Sequence, residues 1–381
     1  MASNEAASGD DHPPLLSPSE LGTKEYWETF YQRSLAHLSH KKKPGAREPP
    51  TAEYLLDTAD GERDPTDANE NVDDDDDPGT SWFTEHDAPR KVLRFLTSRD
   101  FPLAPCHTGT SNPPSILDLG TGNGSMLALL RTRGGFRGPM VGVDYSPRSI
   151  ELARELQRLK LHSAYQEGED EDSDSEDDSH SEPESLQGNE EEDDVVVAED
   201  AGAGAVEAIP VPESSHTDIR FEVWDILDSE GTDALTTEEK KISGTGGRKT
   251  LDWFPYDQGG FDIVLDKGTF DAVSLSDEVV EDTNGGTATN NKVVQRRVCE
   301  KYPGIATRLV RRGGFLVVTS CNWTEEELIR WFTGGLERED QGQGQEEDGL
   351  YVWGRVEYPR FRFGGQEGQG VCTVCFRRRG G

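Results

Sequence analysis

Short apolar runs alternate with amphipathic stretches along most of the chain, which predicts strands and helices in turn. Runs of strand length lie at 115–119, 140–144, 219–224, 261–265 and 314–319, and two more follow at 355–363 and 370–377. Helical periodicity lies at 18–31, 88–97, 125–131, 147–161 and 302–311. Strands that alternate with helices form a mostly parallel sheet with right-handed crossovers, so the pattern predicts an α/β fold.

Acidic, low-complexity stretches interrupt this pattern. The chain has 381 residues, a hydrophobic fraction of 32% and a formal net charge of −36, so a large part of it cannot enter a core. The stretch 161–219 alone holds 21 acidic residues and no Lys or Arg, a composition typical of disorder. We therefore predict a disordered start over 1–17 and one domain over 18–381. Low-complexity insertions are expected near 40–78, 166–215, 228–258 and 338–349.

A glycine-rich loop follows the first predicted strand. The sequence D-L-G-T-G-N-G leads directly into a helical stretch that begins at Ser125. Glycines let the backbone turn sharply and approach a ligand closely, and the first N–H groups of the helix would point at that ligand. The loop is therefore predicted to bind a small polar cofactor. Its candidate residues are Asp118, Gly120, Thr121, Gly122, Asn123 and Gly124.

Dinucleotide-binding loops are the nearest alternative. Their fingerprint G-x-G-x-x-G needs a third glycine where this chain has Ser125. Asp118 also places negative charge where a pyrophosphate would bind, and it suits a cationic ligand better. The second predicted strand ends in Asp144, 20 residues after Gly124, where a carboxylate is expected to bind ribose hydroxyls. Together these features favour an adenosine ligand without a phosphate tail.

Acidic residues follow the carboxyl ends of four predicted strands, which is where ligands of open α/β sheets lie. They are Asp118, Asp144, Asp225 and Asp266. Each alone is compatible with a solvated turn or a helix cap, an interpretation that stays open above all for Asp225. Four acids at one edge of the sheet favour a common site.

Other features bear on the class of protein. The five cysteines are scattered, and Cys372 and Cys375 form one C-x-x-C without a second pair, so we expect structural cysteines and no metal. No run of eighteen apolar residues predicts a membrane span, and the acidity disfavours direct nucleic-acid binding. No N-terminal stretch resembles a signal peptide. We therefore expect a reducing, cytoplasmic location.

The order of five motifs resembles that of a known family. D-L-G-T-G-N-G, G-V-D-Y-S, V-W-D-I-L, F-D-I-V-L-D-K-G-T-F-D-A and S-C-N-W-T resemble the seven-strand, S-adenosylmethionine-dependent methyltransferases. With G-T-K-E-Y-W and, more loosely, 79–83, about two-thirds of the chain is similar to the lysine methyltransferases of translation elongation factor 1-alpha. The glycine loop is common to very many methyltransferases, whereas D-K-G-T together with G-T-K-E-Y-W is much more specific. Inserts near 36–78, 166–215 and 228–258 depart from the family pattern.

The resemblance implies a class I methyltransferase fold: a seven-stranded, mostly parallel, Rossmann-like twisted sheet with helices on both faces. It implies S-adenosylmethionine as the cofactor. Asp118 and the loop 120–124 would hold the methionine part, and Asp144 would hold the ribose hydroxyls. Tyr145 would lie beside the adenine ring.

The remaining implied site residues follow the third and fourth strands. Asp225 would accept a hydrogen bond from the adenine amino group, and Ile226 would pack on the ring. Asp266 would line the methyl-transfer site as the catalytic residue. There it would orient the incoming ammonium and help release its proton through water, because free lysine, with a pKa of about 10.4, is protonated at neutral pH. Lys267 is expected to be a structural turn residue.

The resulting hypothesis is a protein-lysine N-methyltransferase that acts on elongation factor 1-alpha as a monomer. A class I methyltransferase acting on a small molecule is the alternative. A non-catalytic cofactor-fold protein and a dinucleotide oxidoreductase are less favoured. Trp27 and Trp82 are expected to pack in the core rather than to close over the cofactor. The acidic insertions are expected to be solvated segments rather than devices that steer a basic substrate.

Overall fold

The described residues contain eleven strands, and seven of them form one sheet. The computed structural model describes residues 13–41, 78–79, 83, 86–166, 218–228, 232, 234–235, 250–282, 294–334, 348–363 and 366–380. Its strands are β1 (Ile116–Leu119), β2 (Met140–Asp144), β3 (Arg220–Val223), β4 (Phe261–Lys267), β5 (Val279–Asp282), β6 (Val294–Arg297), β7 (Val310–Ser320), β8 (Leu350–Val356), β9 (Phe361–Phe363), β10 (Gln366–Gly368) and β11 (Cys372–Arg378). Strands β5–β6 and β9–β10 form separate two-stranded sheets.

The main sheet has the strand order β3-β2-β1-β4-β7-β11-β8. Neighbours from β3 to β7 pair in parallel, whereas β11 runs antiparallel to both β7 and β8. The prediction of a seven-stranded, mostly parallel sheet is therefore confirmed. Because β1 to β4 run in the same direction, their carboxyl ends meet at one edge.

Helices cover both faces of the sheet. They are α1 (Lys24–Lys41), α2 (Ala88–Thr97), α3 (Pro105–Thr108), α4 (Ser125–Thr132), α5 (Pro147–Leu159), α6 (Thr269–Ser274), α7 (Tyr302–Leu309) and α8 (Glu325–Thr333). The five predicted helices are present. Helix α1 continues to Lys41, beyond its predicted end at residue 31, and α3, α6 and α8 were not predicted.

Strand β1 contributes side chains to two hydrophobic cores, one on each face of the sheet. Ile116 packs into a hydrophobic cluster with side chains of α1, α2, α4 and α5. Leu117 and Leu119 pack into a second cluster with side chains of α7 and α8. Both clusters take residues from β1 because neighbouring side chains of a strand point to opposite faces. A sheet covered on both sides positions its strand ends firmly.

Two sequence predictions are wrong in their boundaries. The low-complexity insertion predicted near 228–258 includes Trp253 and Phe254, which are buried. Trp253 packs on the ring of Phe261 at a centroid distance of 6.3 Å, so this short apolar group belongs to the core. The predicted strand 355–363 is divided: β8 ends at Val356, and the chain passes Pro359 before β9 begins. Proline lacks the N–H group that a central strand needs.

Several other predictions fall partly or wholly outside the described residues. Residues 1–12, Trp82 and nearly all of the insertions near 40–78, 166–215 and 338–349 are among them. Cys372 and Cys375 are buried in β11. In the described ranges no cluster of His, Cys, Asp and Glu has the arrangement of a metal site. None of the helices in the described part of the chain has the length and apolar character to cross a bilayer.

Candidate functional site

A cleft of about 1160 Å³, counted with its open mouth, lies at the carboxyl ends of β1 to β4. Its walls come from the glycine loop, the ends of β2 and β3, the start of α1 and the segment from Lys267 to α6. This is the position at which open α/β sheets bind ligands.

The cleft brings together eight of the eleven predicted site residues. Gly120, Thr121, Gly122 and Asn123 line it from the loop, Asp144 and Tyr145 from the end of β2, and Asp225 and Ile226 from the end of β3. The other three, Asp118, Gly124 and Asp266, are not part of the lining.

Two loop glycines are required by contacts within the protein. Gly120 has a φ of +57°, and a Cβ there would lie 2.2 Å from Oγ1 of Thr269. That hydroxyl donates to the carbonyl of Leu119 at 2.7 Å, which ties the loop to the start of α6. Gly124 has a φ of +74°, and a Cβ there would lie 2.4 Å from the hydroxyl of Tyr165. Close packing, as well as ligand access, therefore accounts for the glycine spacing.

Asn123 joins the loop to a distant segment. Its Nδ2 donates to the carbonyl of Gly79 at 2.7 Å and to that of Pro78 at 3.3 Å. Its Oδ1 accepts from the N–H of Ser125 at 3.1 Å, which satisfies one of the first donors of α4. Gly79 also lines the cleft. Asn123 thus holds one wall of the cleft in place.

Asp144 presents a buried carboxylate to the cleft. Its Oδ2 accepts from the N–H of Gly122 at 3.1 Å and from the hydroxyl of Ser149 at 2.8 Å. Its Oδ1 accepts from the N–H of Ser146 at 3.0 Å. Burial raises the pKa of Asp144 to about 6, and these hydrogen bonds oppose the rise. The side chain of Ser146 caps α5 by accepting from Ser149 N–H at 3.2 Å, so Asp144 is not needed as the helix cap.

Lys24 connects the start of α1 to the residues that follow β2 and β3. Its ammonium forms an ion pair with Oδ2 of Asp225. It lies 5.5 Å from the ring centroid of Tyr145, whose hydroxyl donates to the carbonyl of Lys24 at 3.0 Å. Lys24 lies within the motif G-T-K-E-Y-W, but no local pattern predicts its role, because its partners Asp225 and Tyr145 are distant in the chain.

Helix α1 forms one side of the cleft. It begins at Lys24, directly after Thr23, whose hydroxyl accepts from Tyr26 N–H at 3.4 Å. Trp27 packs against the first hydrophobic cluster and also lines the cleft, with its Nε1 donating to the carbonyl of Leu21 at 2.8 Å. Tyr31 is buried beside it, and burial raises the pKa of its hydroxyl. Trp27 therefore packs in the core, as expected, and also borders the cleft.

Asp118 lies behind the cleft wall rather than in it. Its Oδ2 accepts from Oγ1 of Thr121 at 2.8 Å. Burial raises the pKa of Asp118 to about 6, while the positive charge of Lys267 opposes the rise. Lys267 itself lines the cleft, so it has a ligand-facing position in addition to the turn position expected from the sequence.

Asp266, the predicted catalytic residue, lies outside the cleft lining. Its Oδ1 accepts from the N–H groups of Thr269 and Phe270 at 3.0 and 3.2 Å, and its Oδ2 accepts from the hydroxyl of Tyr302 at 2.6 Å. The carboxylate therefore supports the first turn of α6 and its contact with α7. Burial raises the pKa of Asp266 to about 7, and the Tyr302 hydrogen bond opposes the rise.

Charges around the cleft favour a ligand with both signs of charge. Three lining residues carry carboxylates, namely Asp144, Asp225 and Glu278, and two carry ammonium groups, namely Lys24 and Lys267. The surplus of carboxylates favours a cationic group near them. The arrangement suits a polar ligand with an aromatic base, hydroxyl groups and a zwitterionic end.

Comparisons with known proteins agree with this geometry. Residues 112–176 match a family model described as a methyltransferase domain. The chain is 28% identical over 364 residues to protein-lysine N-methyltransferase EFM4 of Saccharomyces cerevisiae, covering 95% of this chain and 96% of that protein. It is 24% identical over 376 residues to EEF1A lysine methyltransferase 2 of Homo sapiens, covering 99% and 93%. Together, the sheet topology and the glycine loop are those of a seven-strand methyltransferase fold, and the chain is similar over nearly its whole length to these two lysine methyltransferases.

Proposed function

We propose that this chain is an S-adenosylmethionine-dependent protein-lysine N-methyltransferase whose substrate is translation elongation factor 1-alpha. The observation that carries the proposal is the similarity, over nearly the whole chain, to two lysine methyltransferases, one of which is named for that factor. The cleft supports it independently, because its lining has the groups that an adenosyl ligand requires. We further propose that the protein acts in the cytoplasm, where elongation factor 1-alpha works.

The residues of the cleft fit the adenosine part of this cofactor. Asp144 offers carboxylate oxygens to ribose hydroxyls, and charge-assisted hydrogen bonds of this kind are strong. Tyr145 and Ile226 offer apolar surface on which an adenine ring would pack. Asp225 lies next to Ile226 and would accept from the adenine amino group, as the family resemblance implies.

When bound, S-adenosylmethionine supplies a methyl group on a positively charged sulfur, which is already an activated electrophile. The protein therefore has to bind the reactants, align them and limit the access of water. The glycine loop and Asn123 hold one wall of the cleft, and α1 holds another with Trp27 and Tyr31. These groups make positioning the main catalytic contribution of the chain.

The acceptor lysine must lose its proton before it attacks, because its free pKa is about 10.4. Asp266 lies outside the cleft lining, and Thr269, Phe270 and Tyr302 already donate to its carboxylate, so it has no direct contact with the acceptor lysine in this proposal. The proton instead passes to water at the open mouth of the cleft. Glu278 lies in the cleft lining and is exposed, so its negative charge would favour the approach of a lysine ammonium.

We further propose that the enzyme acts as a monomer. Measurement of molar mass by light scattering during an active assay tests this part of the proposal. Activity confined to a dimer fraction would contradict it.

The proposed function is tested by incubating the purified protein with methyl-labelled S-adenosylmethionine and unmodified elongation factor 1-alpha. We expect label on a lysine of that factor, identified by mass spectrometry of its peptides. Asp144→Ala should abolish labelling, whereas Asp100→Asn, at an exposed position in the turn after α2, should leave it unchanged. Label found only in small molecules of a cell extract would instead support the small-molecule alternative.

A further inference from the structure

Lys267 is the last residue of β4, and its side chain lines the cleft. Its ammonium lies 5.8 Å from the ring centroid of Phe83. In the part of the chain that the structure describes, this ammonium has no hydrogen-bond acceptor and no ion-pair partner within 4 Å. Lys267 is half-buried, and an ammonium that loses part of its hydration normally pairs with an anion or several acceptors. The donors of Lys267 are therefore available to a ligand.

Lys24, the other ammonium of the lining, is already engaged. It pairs with Asp225 and stands at the adenine end of the proposed site, next to Tyr145. Lys267 lies at the opposite end. Its neighbour Asp266 pairs in register with Leu119, the residue that precedes Gly120. Lys267 is thus beside the loop that would hold the amino-acid end of the cofactor.

Two buried carboxylates lie close enough to Lys267 to influence its charge. Burial lowers the pKa of the Lys267 ammonium, whereas the charges of Asp118 and Asp266 raise it. The hydroxyl of Thr121 donates to one oxygen of Asp118, and Asp266 accepts hydrogen bonds from three donors. These acids support a cation at position 267 without pairing directly with it.

The amino-acid end of S-adenosylmethionine carries both a carboxylate and an ammonium. The carboxylates of Asp144, Asp225 and Glu278 would repel the ligand's own carboxylate, so its binding requires a cation. We propose that the Lys267 ammonium binds the carboxylate of the cofactor's methionine part, an assignment that rests on the function proposed above. Lys267 is then a specificity-determining residue that distinguishes the intact cofactor from analogues without this carboxylate.

A ligand pair that differs only in the carboxylate tests this assignment. S-adenosylmethionine and its decarboxylated form share the adenosine, the sulfonium and the terminal ammonium. For Lys267→Met, calorimetric titration should give roughly 10- to 100-fold weaker binding of the intact compound, which corresponds to the loss of one charge-assisted hydrogen bond. Binding of the decarboxylated compound should change less than about threefold, because it lacks the group that Lys267 binds.

Two further variants separate charge from structure. Lys267→Arg keeps the positive charge and should regain part of the preference for the intact compound. Lys301→Met removes an exposed lysine before α7 and should alter neither affinity. Thermal melting of each variant checks folding, and Lys267→Gln replaces the Met variant if that protein does not fold.

If Lys267→Met weakens the binding of both compounds by the same factor, the assignment is overturned in favour of a structural role. Unchanged binding of both compounds would also overturn it, since Lys267 would then contact neither. A wild-type protein that binds neither compound would refute the proposed function itself. The assignment of Lys267 would then be refuted as well. The failure of the proposed function is thus distinguishable from a failure of the Lys267 assignment alone, in which the wild-type protein still binds the cofactor.

Discussion

Asp144 and Asp266 lie near the carboxyl ends of β2 and β4, at the same edge of the sheet, but their carboxylates make different contacts. Both are buried, with 4% and 1% of their surface exposed, and each accepts three hydrogen bonds from protein groups. The donors to Asp144 belong to the glycine loop and the start of α5, and its carboxylate still borders the cleft. The donors to Asp266 belong to α6 and α7, and its carboxylate does not.

The segment after each strand explains this difference. After β2 the chain provides Ser146, whose hydroxyl caps α5, so the carboxylate of Asp144 remains at the cleft. After β4 the chain turns at Gly268, with a φ of +80°, and α6 begins without a capping side chain at that glycine. Asp266 then accepts the first N–H groups of α6. At these two strand ends, the acid borders the cleft where another residue caps the following helix, and it does not where the acid itself accepts the first N–H groups of that helix.

The largest expected effect separates these two acids by cofactor affinity. Asp144→Ala should weaken S-adenosylhomocysteine binding roughly 100- to 10,000-fold, because the charge-assisted hydrogen bonds of its carboxylate to ribose and to the N–H of Gly122 in the glycine loop would both be lost. Asp266→Asn should lower the melting temperature and leave the dissociation constant within about threefold, since Asp266 borders α6 and not the ligand. Calorimetric titration of both variants measures this difference. Equal losses of affinity would remove the distinction drawn between the two acids.

Gly120 lies at the junction of the two regions, because its Cα faces Thr269 of α6. Gly120→Ala should destabilise the fold about 1–3 kcal/mol more than Gly259→Ala. Gly259 is the matched control: it also has a positive φ, +68°, but a Cβ there meets nothing within 4 Å. It should show only the backbone cost of about 1–2 kcal/mol. Denaturant unfolding measures both values, and equal values would mean that the loop does not pack on α6 as observed.

A pH titration distinguishes the acids by their response to ligand. Burial raises the pKa of Asp144 to about 6, so the ionised form that accepts ribose hydroxyls is lost as the pH falls through 6. Affinity for S-adenosylhomocysteine should therefore fall about tenfold from pH 7 to pH 5 for this one proton. Asp144→Asn should reduce that pH dependence by one proton, and Asp266→Asn should not. An unchanged slope in Asp144→Asn would contradict the ribose assignment.

Stability without ligand should show the opposite trend. The folded-state pKa values of Asp118, Asp144 and Asp266 are raised above the ordinary carboxyl value, to about 6, 6 and 7. The folded state therefore holds more protons than the unfolded state between about pH 4 and 7. The contribution of these groups to the free energy of unfolding is fully present below about pH 4 and is lost as the pH rises through 6 to 7. Denaturant unfolding of Asp266→Asn should show a smaller loss over this range.

The smallest effect concerns Lys24. The side chains of Lys24 and Asp225 are 45% and 24% exposed, and ion pairs of this kind contribute about 0–1 kcal/mol. Lys24→Met should therefore change cofactor affinity less than about fivefold. Titration calorimetry measures this change. A loss as large as that of Asp144→Ala would show that α1, rather than the strand end, determines binding.

Much of this fold could be predicted from the sequence, because β1, β2 and β4 are apolar runs that end in turn residues. The cleft followed from the parallel direction of these strands. The hydrogen bonds of Asp266 did not, because their donors belong to α6 and to Tyr302, whose positions strand periodicity does not determine. Helix α6 has six residues, too few to show a helical period. Lys24 and Asp225 are 201 residues apart, so no local pattern connects them.

A structure of the protein with bound S-adenosylhomocysteine tests the central claim most directly. The account predicts ribose hydroxyls within hydrogen-bond distance of the Asp144 carboxylate and adenine between Tyr145 and Ile226. It also predicts that Asp266 keeps its bonds to α6 and Tyr302 and does not contact the ligand. A ligand bound through Asp266, or bound away from Asp144, would contradict it.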